Sequence, residues 1–158
     1  MLLAISLCVL GGLLGYVYAS RLKRKRKYFE DFVKFLHRLS AEIGFKQSNL
    51  AEIIANAKSD VGQEFSKTLV EFETYVSGQI NDLILSRQFL TEQEYNCIKN
   101  TFSVLGKYDL STQMKILDGE KIAIDEFYEN AKVTENKLSS NSVKLGALFG
   151  LMIGIVIL

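Results

Sequence analysis

Uncharged apolar positions gather into two long runs, Leu2–Ala19 (LLAISLCVLGGLLGYVYA) and Leu145–Leu158 (LGALFGLMIGIVIL), with a charged, amphipathic stretch between them. As a helix, the first run spans ~27 Å, close to the hydrocarbon thickness of a bilayer. The second gives ~21 Å, short for a crossing unless Val143 and the Lys144 methylenes join the apolar length. Its uniformly apolar character favours a span over a shallow insertion. Between the runs, apolar residues recur in steps of three and four, the period of an amphipathic helix.

The first such stripe is Tyr28, Phe29, Phe32, Val33, Phe35, Leu36, Leu39, Ile43 and Phe45, continuing from the first apolar run with Gly44 weakening its end. Asn49 and Glu52 have the spacing of a helix start, opening a short helix over Leu50–Ala57. Ser59 or Asp60 is expected to cap a third helix, whose stripe runs Val61, Phe65, Leu69, Phe72, Val76, Ile80, Leu83, Ile84, with Gly78 tolerated inside it. Thr91-Glu92-Gln93-Glu94 is a capping box, with Leu90 and Tyr95 spaced as a hydrophobic staple. That helix passes Ile98, Phe102 and Leu105 and stops at Gly106. Asp109 is placed to cap a last helix through Leu110, Met114, Leu117, Ile124, Tyr128 and Ala131, its stripe interrupted by Lys121. Ser139, Ser140, Asn141 and Ser142 read as a polar break before the second apolar run. The chain has no proline, and no run of strand type has useful length. The expected architecture is all-α. A cytoplasmic bundle of about five helices (21–142) is flanked by an N-terminal (1–20) and a C-terminal (143–158) transmembrane helix.

Charge orients this arrangement. The first run is followed at once by Arg21, Lys23, Arg24, Lys25, Arg26 and Lys27, and the second is preceded by Lys144. Basic residues flanking a membrane helix stay on the cytoplasmic side, which places the N-terminus outside and the middle inside. Tyr16 and Tyr18 fall at the interface. A secretory signal cleaved after Val17-Tyr18-Ala19 would carry its basic residues before the apolar run, not after it. From Tyr28 to Ser142 there are 12 Lys and Arg against 18 Asp and Glu, so the middle is acidic and unsuited to nucleic acid. Gly11 and Gly15 form one small-residue pair at helical spacing, and Gly146, Gly150 and Gly154 form a row. Such rows let helix backbones approach closely in lipid, either between the two apolar ends or with another membrane protein.

Candidate chemistry adds little. The single histidine, His37, lies beside an apolar stripe, and Cys8 and Cys97 have no ligand spacing. There is no phosphate-binding glycine loop and no nucleophile elbow. The acid pairs Glu71/Glu73, Glu92/Glu94 and Asp125/Glu126 read as solvated helix surface. No catalytic residue, cofactor, metal site or small-molecule substrate is expected.

Several short stretches resemble the stage III sporulation protein AB family of endospore-forming bacteria. Leu39-Ser40-Ala41-Glu42-Ile43 followed by Leu50-Ala51-Glu52-Ile53 is similar to the family's AEI…L-x-E segment. Leu105-Gly106-Lys107-Tyr108-Asp109 with Gln113 is similar to its LG-x-x-D…Q turn, and Lys137-Leu138 through Leu145–Leu151 to its C-terminal LG-x-L-x-G entry into the membrane. Where the family usually has a proline before the second helix, this chain has Ser48-Asn49. The resemblance implies a cytoplasmic helical domain similar to those of platform proteins in type II secretion and type IV pilus machines. It implies a mother-cell membrane facing the forespore, a transenvelope channel complex with other membrane proteins, and a secretion-type ATPase as partner. On that reading Arg38, Glu42 and Glu52, expected on exposed faces of the first two helices, are the candidate partner surface. Two alternatives carry the same features: a small glycine-zipper protein that permeabilises membranes, and an assembly factor with no motor contact.

Overall fold

The computed structural model describes residues 2–46, 50–87, 89–105 and 107–157. Among them are five α-helices and no strand: α1 Leu2–Lys46, α2 Leu50–Asp60, α3 Gln63–Val76, α4 Glu92–Val104 and α5 Leu110–Ile157. The chain divides into two compact units, one formed by Lys27–Tyr128 and the other by Met1–Arg26 with Glu129–Leu158.

In the Lys27–Tyr128 unit, the first sequence stripe becomes one wall of the core. Tyr28, Phe29, Phe32, Phe35, Leu36 and Leu39 of α1 are buried, against Ile53, Ile54 and Ala57 of α2 and Phe65, Leu69 and Phe72 of α3. Tyr95, Ile98 and Phe102 of α4 and Leu117 and Ile124 of α5 complete it. Phe102 is at the centre, 4.5 Å between ring centroids from Phe72 and stacked 5.4 Å from Phe32. Tyr28 meets Phe65 edge to face at 5.4 Å, and its hydroxyl lies 3.1 Å from the Thr68 hydroxyl. That partner keeps a buried polar tip satisfied, while burial itself raises the Tyr28 pKa above its ordinary value.

Several helix ends follow their local chemistry. At α4 the Thr91 hydroxyl accepts from the Glu94 N–H at 3.3 Å, and the Glu94 carboxylate accepts from the Thr91 N–H at 2.7 Å, closing the capping box. At α5 the Asp109 carboxylate accepts from the Thr112 N–H at 3.1 Å and the Ser111 hydroxyl at 2.6 Å. These bonds to the ionised form hold its pKa down at about 2.

Three expectations are corrected. The third helix ends at Val76, and Ile80, Leu83 and Ile84 lie in the irregular segment that follows. Gly78, with φ 75°, donates to Tyr75 O while the Gln79 N–H reaches Thr74 O, a glycine-terminated helix end rather than a tolerated interior glycine. Beyond it, Leu83 and Leu85 are buried while Ile84 is exposed, alternating as extended backbone does. Second, Ser59 and Asp60 lie inside α2, and the residue before α3 is Gly62, with no side-chain cap of its own. Third, Ser139–Ser142 do not break α5. The Ser142 hydroxyl and the Asn141 carboxamide bond back to the Leu138 and Lys137 carbonyls, so these polar side chains are satisfied on the helix they were expected to end. The Asn49 cap, the Gly106 stop and the Ser48 turn position lie outside the described residues.

The bare start of α3 is served from α1. Asp31, 2% exposed, accepts from the Gly62 N–H through Oδ2 at 2.8 Å. Its Oδ1 lies 2.9 Å from Lys27 Nζ in an ion pair without hydrogen-bond alignment, and this carboxylate is the main cause of a raised Lys27 pKa. Asp31→Ala leaves the Gly62 N–H without its acceptor and is expected to cost about 2 kcal/mol, discounted because the Lys27 side chain is half in solvent. Asp31→Asn keeps the acceptor and is expected to cost about half as much. Urea unfolding of the full chain in mild detergent, followed by circular dichroism, checks both values.

Candidate membrane helix pair and docking surface

The unit formed by 1–26 and 129–158 is a pair of helix segments packed through glycine. A Cβ built on Gly11 would overlap the carbonyl of Gly146, and one on Gly146 the carbonyl of Gly11. A Cβ on Gly15 would strike the Ser142 carbonyl and one on Gly150 the Leu7 carbonyl. Gly15, Gly150 and Gly154 are buried. Gly11, Gly15, Gly146 and Gly150 therefore share one close contact between the two segments, backbone to backbone, as small residues four apart permit. Gly12, one position round the helix, faces open space. The outer surface is apolar, with Leu14, Val17, Leu148, Phe149 and Ile155 exposed together with Tyr16 and Tyr18.

Of the basic residues, Arg21, Lys23, Arg24 and Lys144 are exposed, while Lys25 and Arg26 are half-buried. Arg26 pairs with Glu135. Lys27, in the other unit, pairs with Asp31 and lies 3.5 Å from Glu30.

The three partner-surface candidates divide. Arg38 bonds Glu42 and Asp60, each at 2.7 Å, and these carboxylates raise its pKa, Glu42 foremost. The Glu42 side chain is only 16% exposed, so its expected place on an exposed face is corrected: Arg38 holds it against the helix. Glu52 is exposed. Sequence reasoning passed over Ile122, 74% exposed on α5, with exposed Asp118, Asp125 and Glu126 within four positions of it. Its signal was an isoleucine off the α5 stripe. Across the Lys27–Tyr128 unit, 16 Asp and Glu face 11 Lys and Arg.

The Cys97 thiol donates to Glu120 at 3.2 Å, and burial, reinforced by that carboxylate, pushes its pKa up to about 12. It stays protonated at neutral pH and is a poor nucleophile. His37 is exposed. Among the described residues, no group of three or more His, Cys, Asp or Glu is placed to hold a metal.

Within α1 and α5, windows of 18 residues are long and apolar enough to cross a membrane. The molecule is thus an all-α protein with a candidate membrane helix at each end of the sequence. The family model for stage III sporulation protein AB matches residues 1–158, and the chain belongs to that family, as its motifs suggested. Neither curated proteins nor solved structures give a significant match. Family and helices together are consistent with membrane association of a sporulation protein.

Proposed function

We propose that this chain is a membrane-anchored platform or adaptor of the sporulation channel complex, whose Lys27–Tyr128 unit docks a secretion-type ATPase on the cytoplasmic side. The observation that carries this reading is a folded, acidic helical unit in a chain that also has two candidate membrane helices and belongs to the stage III sporulation protein AB family. A net acidic surface steers a basic partner face toward it and suppresses wrong partners. The glycine-zipper alternative is less well supported, because the glycine rows are engaged with each other and leave little for pore-forming contacts between copies.

Because Arg38 and Glu42 bind each other, reversing them disturbs α1 as well as any surface. The informative positions are Glu52 and, on α5, Asp125 and Glu126 beside Ile122. The full chain carrying Glu52→Lys, Asp125→Lys and Glu126→Lys is expected to bind the ATPase at least tenfold more weakly in a low-salt pull-down. Unchanged binding would remove this surface from the proposal and favour an assembly role without motor contact.

A further inference from the structure

The glycine contacts fix the register of the helix pair. Gly150 meets Leu7 and Cys8, Gly146 meets Gly11, and Ser142 meets Gly15, so four residues back along α5 match four residues forward along α1. The segments are antiparallel. Continued one turn, this register sets Lys144 level with Leu13–Leu14, Asn141 with Tyr16, and Lys137 with Ser20. Yet α1 is uncharged and apolar as far as Ala19. If the pair spans the bilayer, as the proposed function also assumes, Lys144 lies about 10 Å inside the apolar edge that α1 defines. The second apolar run looks short because the length of α5 that crosses the slab includes Asn141–Lys144.

Lys137, Asn141 and Lys144 are all exposed, and their spacing of four and three places them along one face of α5. Helix side chains lean toward the helix N-terminus. On α5 that direction runs from Lys144 past Asn141 to Lys137, toward the level of the basic cluster of α1. The Lys144 stem can therefore lie on apolar surface with its ammonium raised toward the bilayer edge. Asn141 gives one amide hydrogen to the Lys137 carbonyl at 3.3 Å and keeps the other. No Asp or Glu occurs in residues 1–26 or 136–157, and Glu135 is paired with Arg26. The counter-anion for Lys144 has to come from outside this helix pair. At the bilayer edge toward which the ammonium is raised, on the basic side, the abundant anion is phospholipid phosphate.

We infer that Lys144, with Asn141 and Lys137, binds the phosphate of an anionic phospholipid drawn down against the face of α5. The test uses the full chain in bilayers of equal parts phosphatidylglycerol and phosphatidylcholine, with spin-labelled lipid reporting which headgroup is held at the protein surface. Phosphatidylglycerol is expected to be preferred, and Lys144→Gln to lower that preference by roughly fivefold. Lys144→Arg should retain it. Equal selectivity in Lys144→Gln and the parent chain would overturn the site and point instead to an acidic side chain of a partner helix. A second arm separates the site from the spanning reading beneath it. With Cys8 and Cys97 replaced by alanine, a cysteine at position 144 is expected to react with a water-soluble maleimide at least tenfold more slowly than one at position 137. Equal rates would overturn the depth assignment, whatever the outcome for ATPase binding.

Discussion

The full chain carrying Phe102→Ala is expected to lose about 4 kcal/mol of stability. Phe102 is fully buried and touches rings from two other helices: Phe32 and Phe35 of α1 and Phe72 of α3. Removing it forfeits the transfer energy of one large side chain. It also opens a cavity that three rings held on two other helices cannot jointly collapse into. Phe102→Leu retains most of the volume and is expected to cost roughly half as much. The measurement is the denaturation midpoint in urea with an unchanged slope, which separates lost stability from a changed unfolded state. A loss below about 1 kcal/mol would mean that the ring cluster is not the centre of this core.

The second large effect is in the other unit. Gly11→Leu puts a side chain into the Gly146 backbone, where no rotamer change gives relief because the obstructing atoms are main chain. The helices must separate, forfeiting their close packing, and the expected cost is about 3 kcal/mol. Gly146→Leu should do the same from the opposite side. Gly12→Leu, one residue along, meets nothing and is the matched control. Fluorescence transfer between probes on α1 and α5, in detergent and in bilayers, is expected to fall for the first two variants and stay at the parent value for the third. A drop for Gly12→Leu equal to that for Gly11→Leu would show that the pair does not pack through the observed face.

Much of this architecture could be read from residue order. The α1 stripe, the Thr91–Glu94 box and the Asp109 cap depend on groups within a few positions of one another, and the structure shows each. The failures have a common physical origin. The rhythm of Val76, Ile80, Leu83 and Ile84 matches a helix by coincidence: of the four only Leu83 is buried, while Val76 and Ile84 are exposed. Only the left-handed Gly78 and the Asn81-Asp82 pair after it signalled the end. Ser139–Ser142 resembled a break because serine and asparagine compete for backbone bonds. On a helix already supported at both ends, the same groups bond back to it. The Asp31–Gly62 tie joins positions 31 residues apart, and no local pattern announces it. Likewise the glycine rows were visible as rows, but their being each other's partner, and the register that follows, required coordinates.

That the matching glycines stand at positions 11 and 146 also has a consequence in time. At ribosomal speeds of 5–20 residues per second, α1 is complete on the order of ten seconds before its counterpart is made. In the proposed membrane setting, its flat glycine face is open throughout that interval to any other small-faced helix. Correct pairing is then a race between synthesis of the remaining chain and capture by a stranger, and slowing translation should increase the share of mispaired molecules.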